Sequence, residues 1–148
     1  MKRFSSQGRP SAGLIFILGF SAAAAFSQKT GDSKILRTNG YEIQVLKQAR
    51  VQSWKDPLFA DNDMFPRFQA QPGNEVAVFT VSFKRLEPEA KIKLEKMFAV
   101  DDAGKEHDSP IIAQSDLDDD SIIREFAFGV PVGTALVKLK LTKDIVLD

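Results

Sequence analysis

Apolar and polar residues alternate along most of this chain, and the longest such run is Asn74 to Lys84. Ala77, Phe79, Val81 and Phe83 share one parity, and Val76, Val78, Thr80 and Ser82 share the other. That is the every-second-residue signature of a strand covered on one face and half-polar on the other. Gln71, Pro72 and Gly73 precede it and supply a turn, because proline fixes φ and glycine permits positive φ. The pattern predicts a central β-strand.

Weaker versions of the pattern flank it. Tyr41, Ile43, Val45, Ala49 and Val51 keep one parity interrupted at Lys47, which predicts a bulged strand or two short strands meeting there. Ile92, Leu94, Phe98 and Val100 form a third strand face with Lys96 in its middle; Glu87 to Met97 is also rich enough in helix formers to stand as a rival helix. Asp101 to Lys105, with Gly104, predicts a hairpin turn, and Pro110 to Gln114 offers a short returning edge. Ser115 to Ser121 reads as an acidic connection. Ile122, Arg124, Phe126, Phe128 and Val130 make a strand that stops at Pro131. Ala135, Val137, Leu139 and Leu141 then oppose Lys138, Lys140 and Thr142, an amphipathic strand that Ile145 to Leu147 either extends or follows as a tail.

Gln52 to Gly73 breaks the pattern. It has neither period, carries Pro57, Pro66 and Pro72, and yet holds Trp54, Leu58, Phe59, Met64, Phe65 and Phe68. Loops of this length inside a compact domain are uncommon unless functional or disordered, and the aromatic content argues against disorder. A packed loop is expected.

Short strands separated by turn signals, without helical crossovers, predict an all-β, antiparallel immunoglobulin-like β-sandwich over residues 40–148. The amino-terminal end is different. Lys2, Arg3 and Arg9 precede an apolar run from Ala12 to Phe26 that ends in small residues, the layout of a cleavable signal peptide, assigned to residues 1–27 with cleavage after Ala25 or Ser27. The run falls short of the roughly 18 residues that a membrane span needs. Residues 28–39 are polar and read as a flexible lead-in. Export to the periplasm or the extracellular space follows as an expectation, without stable membrane insertion after cleavage.

Charge and cysteine narrow the choice. The chain's 148 residues include 20 basic and 20 acidic ones; losing Lys2, Arg3 and Arg9 leaves 17 basic and a net charge of −3. Such a domain has no basic block to displace counterions from a phosphate backbone, so nucleic acid is not an expected partner. There is no cysteine, which excludes a disulfide staple, lipid attachment through a thioether and any thiolate site.

The order of elements resembles the telokin-like, immunoglobulin-fold family of secreted bacterial domains of unknown function. The resemblance rests on Gly40 to Val45, on Gln71 to Asn74 with Val76 to Val81, on Phe98 to Glu106, and on Phe126 to Gly133 with Leu136 to Leu141. His107 departs from it, standing where an aromatic is frequent, and Phe83 to Leu86 lacks the Asn-rich turn often found after the central strand. The family shares no single catalytic chemistry, so the resemblance implies a binding or interaction module and carries over no active site.

Candidate chemistry is sparse. His107, the single histidine, reads as a solvated turn residue, with a catalytic or ligand role as the alternative. Asp116, Asp118 and Asp120 alternate like the first ligands of a calcium loop, which Asp61 and Asp63 could join, but Ser121 and Ala127 stand where that loop needs Gly and Glu. Calcium is thus the one cofactor with any footing. Carboxylate pairs such as Asp118 with Glu125 are available for acid and base work, and Lys138, Lys140 and Lys143 read as a solvated strand face. The aromatic loop is the strongest lead, either capping the open end of the sandwich or offering Trp54, Phe59, Phe65 and Phe68 to a partner. The expected function is an exported, non-enzymatic interaction module that contacts an envelope or secreted protein; the alternatives are a calcium-stabilised surface domain and a hydrolase using carboxylates or His107.

Overall fold

The computed structural model describes residues 33–94, 96–109 and 115–148. The expected signal peptide at 1–27, the start of the lead-in and the expected returning edge at 110–114 lie outside the described residues. Twelve strands follow in chain order among those residues: β1 (Leu36–Thr38), β2 (Tyr41–Val51), β3 (Ser53–Trp54), β4 (Phe68–Gln69), β5 (Asn74–Arg85), β6 (Ile92–Leu94), β7 (Phe98–Asp101), β8 (Glu106–Asp108), β9 (Ser115–Leu117), β10 (Ser121–Pro131), β11 (Leu136–Lys140) and β12 (Val146–Leu147). They form two four-stranded sheets, ordered β1-β2-β5-β10 and β12-β11-β7-β8, and two ribbons, β3-β4 and β6-β9. The chain is an all-β, antiparallel β-sandwich.

The predicted central strand is central. β5 pairs along its whole length with β10, from Pro131 opposite Asn74 to Ser121 opposite Lys84, and on its other side with β2. Its odd residues Ala77, Phe79, Val81 and Phe83 enter one core with Phe126, Phe128 and Val130 of β10, Ala99 of β7, Leu139 of β11 and Leu147 of β12. Phe79 meets Phe128 edge-on at 5.8 Å between ring centroids, and Phe83 meets Phe126 at 6.2 Å. Burial of this face is the main stabilising term, since each large apolar side chain contributes about 1.5–3 kcal/mol.

The break in β2 is a bulge. Register shifts between Val45 and Lys47, so Leu46 is the extra residue and turns outward, half exposed. A second shift, between Leu136 and Lys138 of β11, corrects the sequence reading of that strand. Leu136 packs against the core and Val137 faces solvent, because the shift reverses the inward parity before Leu139 and Leu141 resume it.

Three further differences have local causes. The lead-in ends earlier than expected, because Asn39 and Gly40 both have positive φ and fold Leu36–Thr38 back on Tyr41–Ile43 as a two-residue hairpin. At Gly40 a Cβ would come within 2.6 Å of the Ala90 Cβ, so the chain also needs glycine there for close approach. The expected third strand is split into β6 and β7, which join different partners; β6 pairs with β9, a strand inside the expected acidic connection. The returning edge after the Asp101–Lys105 turn is β8 itself, and the rival helix over 87–97 does not form in its described residues.

Tyr41 ties the first sheet to the β6-β9 ribbon. Its ring is fully buried and its hydroxyl lies 3.0 Å from the Leu117 carbonyl and 3.2 Å from that of Ala90. Burial raises its phenol above the usual 10, with Asp118, Asp119 and Asp120 adding to the rise and Arg85 opposing it. As the chain's one tyrosine, it can be followed by phenolate absorbance. The midpoint is expected above pH 10 in the folded protein and near 10 in denaturant. The folded state holds this proton more tightly, so its contribution is complete below pH 10 and falls as pH climbs past it. Tyr41→Phe is expected to cost about 1–2 kcal/mol in urea unfolding, by stranding buried carbonyls; no change would remove this tie from the account.

Candidate partner-binding surface

The aromatic loop is placed by the second face of β5. Val76 and Val78 point away from the main core, and with Ala127 of β10 they leave an apolar patch on the outside of the first sheet. The β3-β4 ribbon covers it. Trp54 pairs across the ribbon with Phe68 and Ser53 with Gln69, and Trp54 packs into the patch with Val51, Phe68 and Ala70 around it. The indole Nε1 donates to Glu125 Oε2 at 2.7 Å, which satisfies its one polar group. Phe68 lies so close to β10 that a Cβ on Gly129 would stand 3.2 Å from its ring.

Between the two ribbon strands the chain makes successive turns. Asp56 caps a 3-10 turn at Pro57–Phe59 by accepting from the Leu58 amide at 3.0 Å, and Pro57 opens it with φ already set. The Asn62 side chain accepts from the Met64 amide at 3.0 Å, and the Asn62 carbonyl from the Phe65 amide at 3.2 Å. These turns bring Phe59 and Phe65 into a parallel stack, 3.9 Å between centroids and 12° between planes. The stack, Phe68 and Pro66 line a cavity of about 220 Å³ flanked by Asp56 and Arg67. Met64 is 88% exposed, and Leu58 and Phe65 are each exposed beside it.

The four aromatic candidates therefore separate. Trp54, 7% exposed, and Phe68, half-buried, hold the loop to the sheet; Phe59 and Phe65 shape the cavity. The loop covers the outer face of the first sheet and not the open end of the sandwich. Leu58 and Met64 complete the exposed tip. Their signal in the sequence was present, as apolar residues among prolines and aspartates in a stretch without periodicity.

The acidic candidates do not converge. Asp116, Asp118 and Asp120 are all exposed. Asp116 stands in β9 opposite Lys93, whereas Asp120 is engaged by Arg85, whose Nε donates to Oδ1 at 3.0 Å. That hydrogen bond raises the Arg85 guanidinium above its ordinary value. Among the described residues no three carboxylate or imidazole groups are placed to hold a metal ion.

His107 is a correction. It is buried in β8, with Nε2 3.0 Å from Asp101 Oδ2, because the hairpin returns the chain opposite Ala99 on the inward face. An ionised carboxylate only accepts, so Nε2 carries the proton in this pair. Asp101 Oδ1 accepts from the amides of Ala103 and Lys105 at 3.0 and 2.9 Å. The carboxylate thereby organises the whole turn, and the His107 bond, then the Lys105 amide, hold it below its ordinary 3.8. Ser109 donates to the Ala127 carbonyl at 3.0 Å, which points its hydroxyl at backbone.

No protein-family profile and no curated protein matches the sequence. Among solved structures, the chain is similar to an uncharacterized beta-sandwich protein from Clostridium difficile 630, at 13% identity and a TM-score of 0.45, over 76% of this chain and 85% of that one.

Asp101 gives a pH dependence with a definite sign. Its carboxyl is depressed in the fold, so its contribution is present above pH 3.8 and is lost as pH falls through the lowered native value. The thermal midpoint of Asp101→Asn is expected below that of the unsubstituted protein near neutrality, with the gap closing below about pH 4. A gap that persists unchanged into acid would assign the turn's stability to something other than this charge.

Proposed function

We infer that the protein is an exported, non-enzymatic interaction module, an immunoglobulin-like sandwich of telokin-like type, which contacts an envelope or secreted protein through the tip of the aromatic loop. The observation that carries this reading is the contrast within one loop. Its base is fastened by Trp54, Glu125 and Phe68, while Phe65 lines an apolar cavity and Leu58 and Met64 stand exposed on the turns next to the rings that shape it. Apolar side chains on a pre-shaped surface lose little entropy on binding, which suits them to anchor an interface. The cavity, about 220 Å³, is below the usual range of about 300–1,000 Å³ for small-molecule sites and takes one large side chain of a partner.

The basic leader followed by a short apolar run supports export to the periplasm or cell exterior, and the net charge of −3 after its loss speaks against nucleic acid. The family resemblance supports an interaction role for the two-sheet architecture. The enzyme alternative finds its single imidazole already spent on the Asp101 turn.

A photo-crosslinking residue placed at position 64 in cells is expected to trap a specific protein, and the same residue at position 138 on the opposite sheet is not. Leu58→Ser with Met64→Ser is expected to abolish capture while changing stability by no more than about 0.5 kcal/mol, since both side chains are exposed. Absence of an adduct at position 64, or capture that survives the double substitution, would end the reading.

A further inference from the structure

The second sheet carries a separate concavity on its outer face. Lys140 of β11 lies opposite Phe98 of β7 in register, and both point away from the core, since their neighbours Leu139 and Ala99 point in. Phe98 and Lys140 line a cavity of about 370 Å³. Lys93 of β6 and Lys96, two residues before β7, line it as well, with Lys143 from the turn after β11. Four lysines from three places in the chain thus share one hollow with one carboxylate among its described lining residues, Glu106. Glu106 pairs with Lys140 and holds it against the sheet. Among the described residues no carboxylate pairs with Lys96 or Lys143.

Two more features define what fits there. Thr142 lines the cavity, and its Oγ1 accepts from the amides of Asp144 and Ile145 at 3.2 and 3.1 Å. With both lone pairs engaged, its hydroxyl proton can only be donated outward. Phe98 is half-buried, and Lys96 Nζ sits 5.2 Å from its ring centroid. The hollow therefore offers cations, a hydroxyl donor and one aromatic face, which calls for a ligand with anionic acceptors and an apolar C–H face. Among the described residues no arginine lines it, so these offer no planar fork to grip a single phosphate; separate ammonium groups suit charges spaced along a chain.

We propose that this lysine cavity binds an acidic glycan, a uronate-type oligosaccharide whose carboxylates meet Lys96 and Lys143 while one pyranose ring lies on Phe98. A volume near the lower end of the usual ligand range accommodates one or two sugar units of a longer polymer. The site is independent of the aromatic loop, which covers the other sheet.

Calorimetric titration of the purified protein with trigalacturonate tests it. Binding is expected at low salt, absent for the methyl ester of the same trisaccharide, and about tenfold weaker in Lys96→Gln with Lys143→Gln, two exposed positions whose loss leaves the fold in place. Lys138→Gln, which removes an ammonium outside the cavity 3.7 Å from Asp148, is expected to bind as the unsubstituted protein does. Phe98→Leu is expected to weaken trigalacturonate while leaving tripolyphosphate unaffected. No binding of trigalacturonate at millimolar concentration, equal binding of the methyl ester, or unchanged affinity in the double variant would overturn the proposal. So would tripolyphosphate or a short oligothymidylate binding as tightly as the sugar acid, because that would reduce the site to undirected charge.

Discussion

A central strand that is apolar on both faces must be covered twice, and the rest of this molecule follows from how β5 meets that demand. Ala77, Phe79, Val81 and Phe83 on one side are buried by the second sheet and the β6-β9 ribbon. Val76 and Val78 on the other side would face water, as one face of an open antiparallel sheet commonly does. Instead the chain between β2 and β5 doubles back and lays Trp54 and Phe68 over them. A long loop without internal periodicity is thereby given a fixed base, because its conformational entropy is opposed by the burial of two aromatic rings.

That arrangement divides the loop into a part that is structural and a part that is presented. The indole donor is matched by Glu125 and the ring by valine and alanine side chains, so the base resembles interior protein. Beyond it the chain is held mainly by turns, an Asp56 cap and one aromatic stack. Exposed Met64 and Leu58 gain nothing from the fold at their positions. Such a division is common in binding proteins, where a rigid scaffold carries contact residues on a loop.

The charged groups are similarly sorted by environment. Asp101 is spent on the β7-β8 turn, where two amides and an imidazole surround its carboxylate. Arg50 ties the same end, joining Glu75 of β5 at 3.0 Å and the Thr134 carbonyl at 2.8 Å beside the Ala135 carbonyl that accepts from Asp102 in that turn. The lysines behave differently. On the outer face of the second sheet they gather around a half-buried ring, and among the described residues no carboxylate pairs with Lys96 or Lys143. Like charges brought together this way repel, a cost that an anionic ligand would relieve.

Local pattern was enough for the longest strands. Alternation placed β5 and β10, the Asp101–Lys105 residues marked the turn after β7, and the misplaced Lys47 marked the bulge in β2, because side-chain parity and turn preference are properties of adjacent residues. The Asn39-Gly40 pair also announced the first hairpin, and was legible though passed over. Parity failed at Val137, since the slip beside it is a matter of how β11 meets β7 across the sheet. It failed for His107, whose burial depends on a carboxylate six residues back along the chain and opposite only after the hairpin closes. The aromatic loop was recognisable as packed, but which of its rings faced inward was decided by two valines of β5, beyond the end of the loop. The lysine cavity was hidden altogether, because Lys93 and Lys96 reach Lys140 and Lys143 only through the pairing of β7 with β11. The sequence by itself determined which segments extend and where they turn, as these preferences act between neighbours. Only the tertiary structure decided which surfaces were covered and which charges met, because those contacts join residues far apart in the chain.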